Sequence, residues 1–279
     1  MSKPTLFFLQ TPLLPGFGLS FGVSVLYLSL VILLPLSALL LYVSDMTWAQ
    51  YWFAISDPRV VQTYKVTISA AFYSTLAVLV LGLLLAWIIT RYDFPGRRIV
   101  DALIDLPFAL PTSVAGLTLA ALLVPNGWIG QWLGFKVAYA YAGIVVAMVF
   151  TSIPFVVRTV QPVLQDLGSE YEEAARTLGA SRVQTFRKVI LPTLAPALVT
   201  GGSQAFIRSL GEFGAVIMIA GNIPYQTEVS SLMIFVRLQE FNYPAAAAIA
   251  SVILLASLTL LFLLQVVQGR LFAWQRQGR

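Results

Sequence analysis

The sequence predicts an all-α integral membrane protein with six transmembrane helices, on three observations. Of its 279 residues, 58% are hydrophobic and only 10% charged, with a mean hydropathy of +0.84; a soluble domain carries about a quarter charged residues. Six apolar stretches reach the roughly 20 residues of helix that a bilayer core demands. The basic residues, finally, are sorted unequally between alternate connecting segments, which is the pattern that orients such a chain.

The chain opens with MSKPTLFFLQTPLLPGFG (1–18), broken by Pro4, Pro12 and Pro15. It lacks a continuous apolar run followed by a small-residue cleavage site, so it reads as a cytoplasmic N-terminal segment and not as a removable signal. The six expected spans are 19–43, 66–89, 106–124, 139–157, 197–220 and 245–267, each rich in Leu, Val, Ile, Ala and Phe. Between the first five lie SDPRVVQTYK (56–65), TRYDFPGRR (90–98), PNGWIGQWLGFK (125–136) and a long loop, 158–196; GNIPYQTEVSS (221–231) precedes the sixth, and 268–279 is a C-terminal tail. Pro107, Pro111 and Pro154 predict kinks in the third and fourth spans.

With the N-terminus inside, the cytoplasmic segments hold twelve basic residues: Lys3, Arg91, Arg97, Arg98, Arg158, Arg176, Arg182, Arg187, Lys188, Arg270, Arg276 and Arg279. The external segments hold four, Arg59, Lys65, Lys136 and Arg237. Both termini are therefore expected in the cytoplasm. The net charge of +5 is spent on topology, and a nucleic-acid partner is not expected. The absence of Cys and His excludes disulfides, thiolate chemistry and imidazole catalysis or ligation. The run GFGLSFG (16–22) is not a dinucleotide fingerprint, and no phosphate-binding G-x-x-x-x-G-K-[ST] occurs, so the chain is not expected to hydrolyse ATP itself.

The most polar long stretch is SEYEEAARTLGASRVQTFRKVILPTLAP (169–196). Ser169 and Glu172 fit a capping box, and Glu170, Glu172 and Glu173 crowd the first turn, where the helix dipole favours carboxylates. Gly179 suits a C′ position, and Ser181 with Gln184 opens a second capped helix that runs through Val183, Phe186, Val189 and Ile190 to Pro192 and Pro196. The result is a helical hairpin on the cytoplasmic face, with Ala174 and Ala175 as a small-residue patch fit to enter another protein's groove. The same residues also fit a passive amphipathic connector. A DNA-binding helix-turn-helix is not expected, because the hairpin is pinned between two spans with no third helix to pack on.

This stretch resembles the EAA motif of ABC importer membrane subunits. Glu173, Ala174, Ala175, Gly179, Leu191 and Pro192 match its pattern, and Val189 stands where the motif has isoleucine. The segments LPFALPTSVAGLTLA (106–120), FTSIPFVVRTVQPVL (150–164), RSLGEFGAVIMIAGNI (208–223) and TEVSSLMIFVRLQEFNYPAA (227–246) are similar to the sulfate/thiosulfate permease subunits of bacteria, nearest the T-type. The molybdate permeases are related and share the LGEFGA-like segment.

The resemblance implies a type I importer permease fold over 19–267, in the bacterial inner membrane. It implies a cytoplasmic ATPase dimer that holds ATP-Mg, a second homologous permease subunit and a periplasmic sulfate/thiosulfate-binding protein, with no cofactor on this chain. It also implies that Glu172, Glu173, Ala174, Ala175, Arg176, Leu178, Gly179, Leu191 and Pro192 form the ATPase-coupling segment. A molybdate or tungstate permease and a stand-alone secondary carrier or channel remain open as alternatives. The carrier would show internal repeats, and none is visible.

Arg208 and Glu212 share one face of the fifth span. Intramembrane charges normally face a partner or a watery path. Arg208, with the Ser209 hydroxyl, is thus a candidate anion contact beside Glu212; the other reading is a self-neutralised brace. Asp101 and Asp105 are expected to pair near Arg97 and Arg98. Val229, Leu232, Met233 and Val236 fall at helical spacing, which suggests a helix lying on the outer surface.

Overall fold

A computed structural model describes residues 17–168 and 170–271, and every regular element among them is helical. The predicted cap residue Ser169, Lys3 and residues 272–279 of the charged tail lie outside the described residues. Five helices there are long and apolar enough to cross a membrane. They are α1 (Phe17–Ser44), α3 (Pro58–Arg91), α6 (Tyr141–Asp166), α8 (Arg182–Leu210) and α11, apolar over Tyr243–Val266 and helical to Leu271. Shorter helices join them: α2 (Trp48–Ser56), α4 (Arg97–Ile104), α5 (Thr112–Leu123), α7 (Glu170–Thr177), α9 (Gly214–Ile219) and α10 (Ser230–Gln239).

The second span starts earlier than its apolar run. The Asp57 carboxylate accepts from the Arg59 amide at 2.8 Å and Pro58 occupies the first turn, a strong start signal that outweighs the polar residues after it. The α3 helix thereby reaches 34 residues and projects beyond the roughly 30 Å apolar layer.

The third expected span is broken. A single turn, Leu106–Ala109, ends at Leu110, which is extended at ψ 137 because the Pro111 ring excludes the helical conformation before it. The α5 helix then covers 12 residues, Thr112–Leu123. The fifth expected span is likewise split at Gly211–Phe213, between α8 and α9.

The second arm of the polar hairpin does not stop before Pro192, as the sequence had suggested. It continues without a break into α8, because a wider π-turn over Phe186–Ile190 lets the Leu191 amide donate to the Phe186 carbonyl. The proline, having no N–H, is absorbed beyond that bulge.

The core is an α3–α6–α8 bundle, within which α3, α6 and α8 approach closely at small residues. A Cβ on Gly82 would sit 2.9 Å from Val156 Cβ, and one on Gly201 2.9 Å from Val156 Cα, the small-residue packing that lets membrane helices meet. A second cluster joins α3, α5, α6 and α9, with Ile144, Met148, Val216 and Ile219 at its centre. Helix α1 buries no residue and lies against α11, where Tyr42 stacks on Tyr243.

Two expected contacts are replaced. Asp101 and Asp105 pair with Arg158 of α6, at 2.6 and 2.5 Å, while Arg97 pairs with Asp93. Helix α10 does not expose its apolar face: Val229, Leu232 and Met233 are buried against the bundle. A lone amphipathic helix would seek the lipid surface, but here α3 and α11 offer the same face a protein partner.

Candidate functional site

The polar hairpin occupies the end of the bundle where α3 finishes. Helix α7 closes in a Schellman motif: the Ala180 amide donates to Ala175 and the Gly179 amide to Arg176, at 3.0 and 2.9 Å. Gly179 takes φ +82, and no atom lies near the place its Cβ would occupy. Glycine is thus required there for backbone conformation and not for space. The second arm opens as expected, with Ser181 Oγ accepting from the Gln184 amide and Gln184 Oε1 from the Ser181 amide, at 3.3 and 2.8 Å.

The predicted coupling residues divide between two faces. Glu173, Ala174, Arg176 and Leu178 are exposed, and Leu178 reaches 87%. Tyr171, Ala174 and Leu178, at helical spacing, make an apolar strip facing away from the bundle. Glu172 and Ala175 instead turn inward. Leu191 and Pro192 lie beyond the π-turn in α8, so they shape the helix and not the hairpin tip.

The inward face meets residues that pattern reading passed over. Arg91, the last residue of α3, donates from Nη2 to the Gly168 carbonyl at 3.1 Å and lies 3.1 Å from Glu172 Oε1. Its guanidinium sits over the Trp87 ring at 5.7 Å, and Trp87 meets Phe186 edge-on at 5.8 Å. In the sequence Arg91 had served only as an orientation charge; no local signal marks a partner 81 residues away.

The second candidate region lies where α8 breaks. Arg208 Nη1 stands 2.6 Å from Glu212 Oε2, with the carboxylate 1% exposed and the arginine side chain 34%. Glu212 also works as a cap, its Oε1 accepting from the Ala215 amide at 2.9 Å, while its carbonyl accepts from Ser231 Oγ at 2.9 Å. One residue thus ties the end of α8 to the starts of α9 and α10. Ser209 is fully buried, its hydroxyl accepting from Ser74 at 3.3 Å. The pair is neutral as a unit, yet the Arg208 side chain stays partly exposed, and a guanidinium is the side chain best suited to donate to an oxyanion. Among the described residues no cluster of three or more potential metal ligands occurs.

Residues 78–277 match the family model described as "Binding-protein-dependent transport system inner membrane component". The chain is 65% identical, over 260 residues, to the sulfate transport system permease protein CysT of Salmonella typhimurium, covering 92% of this chain and 94% of that one. It is equally similar to the protein of the same name from Escherichia coli, 65% over 260 residues with the same coverage. Its fold resembles a bacterial ABC transporter that imports the acidic polysaccharide alginate, with a TM-score of 0.73 at 16% identity, over 91% of this chain and 96% of that one.

Proposed function

The chain belongs to the family of binding-protein-dependent transport system inner membrane components, and from that premise we propose that it is half of the pore of an ABC importer for sulfate and thiosulfate. It crosses the bacterial inner membrane six times with both termini inside. The broken third span does this with the Leu106–Ala109 turn and α5 together, about 24 Å of helix at 1.5 Å per residue. Its partners are a second homologous permease subunit, a cytoplasmic ATPase dimer that binds ATP-Mg, and a periplasmic sulfate/thiosulfate-binding protein. The chain makes and breaks no bonds; it moves the anion by alternating access while the ATPases close and open.

The observation that carries this reading is the 65% identity across nearly the whole chain. It gains support from the hairpin, whose exposed Tyr171–Ala174–Leu178 strip is a short helix face suited to a groove on the ATPase. Residues Glu172, Glu173, Ala174, Ala175, Arg176, Leu178 and Gly179 form the coupling segment, with Leu191 and Pro192 setting the course of the helix behind it. Arg208 contacts the passing anion, held in place by Glu212 and flanked by Ser209.

The direct test is ATP-dependent uptake of labelled sulfate by the reconstituted complex. Thiosulfate should compete and molybdate should not; uptake that persists without ATP would replace this reading with a secondary carrier. Within the hairpin, Gly179→Ala forces a side chain into the left-handed region, which costs about 1–2 kcal/mol. It is expected to cut coupled uptake several-fold while the spans stay folded, and Gly179→Asn should be milder, since asparagine tolerates that conformation. Equal uptake by all three proteins would mean that the turn plays no part in coupling.

A further inference from the structure

We propose that Arg91 is the positioning residue that joins the first arm of the hairpin to the membrane helices, so that movement of α7 enters the bundle through α3. The proposal rests on reading the hairpin as the coupling segment and adds the point at which its motion is received.

The chain itself links the two arms unequally to the spans. The second arm runs straight on into α8 through the π-turn. The first arm, α7, follows a turn at Leu167–Gly168, where a chain bends easily and transmits force poorly. Arg91 bridges that turn. One Nη2 reaches both the Gly168 carbonyl, just before α7, and Glu172 in its first turn. The same guanidinium rests on Trp87, one helical turn back along α3. Trp87 in turn meets Phe186 of the second arm. Both arms therefore converge on a single patch of α3.

Burial makes these contacts matter. The Arg91 and Glu172 side chains are only 17% and 19% exposed, so their attraction is less screened than that of a surface pair. The arrangement also needs arginine specifically. A planar guanidinium can lie flat on the Trp87 face while its in-plane Nη2 donates to the Gly168 carbonyl, whereas a lysine ammonium has no plane to stack and no fixed in-plane donor.

Helix α3 is suited to carry the motion onward. At its midpoint Ser74 donates to Ser209, next to Arg208. Near its start Thr67 Oγ1 accepts from the Ser230 amide at 2.8 Å, and Arg59 holds Glu228 through two hydrogen bonds of 2.9 and 2.6 Å. One continuous helix is therefore linked by polar contacts to the hairpin, to the Arg208 segment and to the far end of the bundle.

The experiment uses the full complex in liposomes and compares ATP hydrolysis with and without the sulfate-loaded binding protein, alongside labelled sulfate uptake. Arg91→Gln and Arg91→Lys are each expected to assemble and to keep basal hydrolysis within about twofold. The ratio of stimulated to basal hydrolysis should fall about fivefold or more in both, the size of a modest coupling energy. Arg91→Gln combined with Glu172→Gln should be no worse than Arg91→Gln alone, because both remove one contact.

A wild-type ratio in both single variants overturns the proposal. So does a proportional fall in assembly and in both rates, since that is what a mere brace would produce. Leu178→Asp, on the outward strip, separates this result from failure of the hairpin reading. If Leu178→Asp uncouples and the Arg91 variants do not, only the role of Arg91 falls. If Leu178→Asp leaves the ratio unchanged, the hairpin reading falls and takes the proposal with it.

Discussion

Glu212→Leu is expected to abolish sulfate uptake and to lower the thermal stability of the purified permease sharply. The carboxylate is 1% exposed and holds Arg208 at 2.6 Å, while its other oxygen caps α9 through the Ala215 amide. Its removal strands a positive charge within the bundle and orphans a buried donor. Breaking one side of a buried pair costs about 3–5 kcal/mol, and an unmet buried N–H adds about 1–3 kcal/mol. Part of the first term is relieved by the partial exposure of Arg208. Removing both charges, in Arg208→Met with Glu212→Leu, is expected to recover much of the lost stability, because no unpaired ion remains.

That double variant divides the two roles of the pair. If Arg208 touches the anion, the protein regains its melting temperature but not its uptake. Recovery of both would make Arg208 a brace and nothing more. Glu212→Gln sharpens the comparison, because the amide oxygen still accepts from Ala215 while the charge is lost. Melting curves in detergent and uptake by the reconstituted complex read the two quantities separately.

Gly116→Ala is the second substitution with a large expected effect, although it adds a single methyl group. A Cβ at Gly116 would lie 2.6 Å from Ala215 Cα and 2.8 Å from its carbonyl carbon, with the carbonyl oxygen nearer still. All three are backbone atoms, so no rotamer change relieves the overlap, and α5 must separate from α9. Overpacking of this kind typically costs about 1–3 kcal/mol, and the upper end is expected here. Ala215→Gly should give no rescue, since it removes none of the colliding atoms. By contrast, Gly82→Ala collides mainly with the Val156 side chain, at both Cγ1 and Cβ, so Val156→Gly, which removes both atoms, should relieve the overlap. Melting temperatures of the two singles and two doubles check the distinction; rescue of Gly116→Ala by Ala215→Gly would place α5 and α9 differently.

The helical class, the apolar segments and the hairpin with its Gly179 turn and Ser181 cap were legible in the sequence, because each depends on neighbours within a few residues. Hydropathy averages over one helix, a capping box spans four positions, and a left-handed C′ asks for glycine whatever surrounds it. The resemblance of Glu173 to Pro192 to the EAA motif rested on the same short spacing. The helix breaks were only half legible. Pro111 does end a turn, but Pro192 does not, because a π-turn absorbs it. Both are prolines in apolar company, and nothing local tells them apart.

Tertiary structure alone decided which distant charges meet. Asp101 and Asp105 find Arg158 across 57 and 53 positions, Arg59 finds Glu228 across 169, and Arg91 finds Glu172 across 81. In a chain this apolar, each ion must settle against whichever opposite charge the bundle brings within reach. That choice follows from how α3, α6 and α8 pack at Gly82 and Gly201, which no pairing rule along the sequence contains. The sequence by itself determined which segments are apolar and where a polar hairpin interrupts them; only the packing of distant helices decided what that hairpin meets.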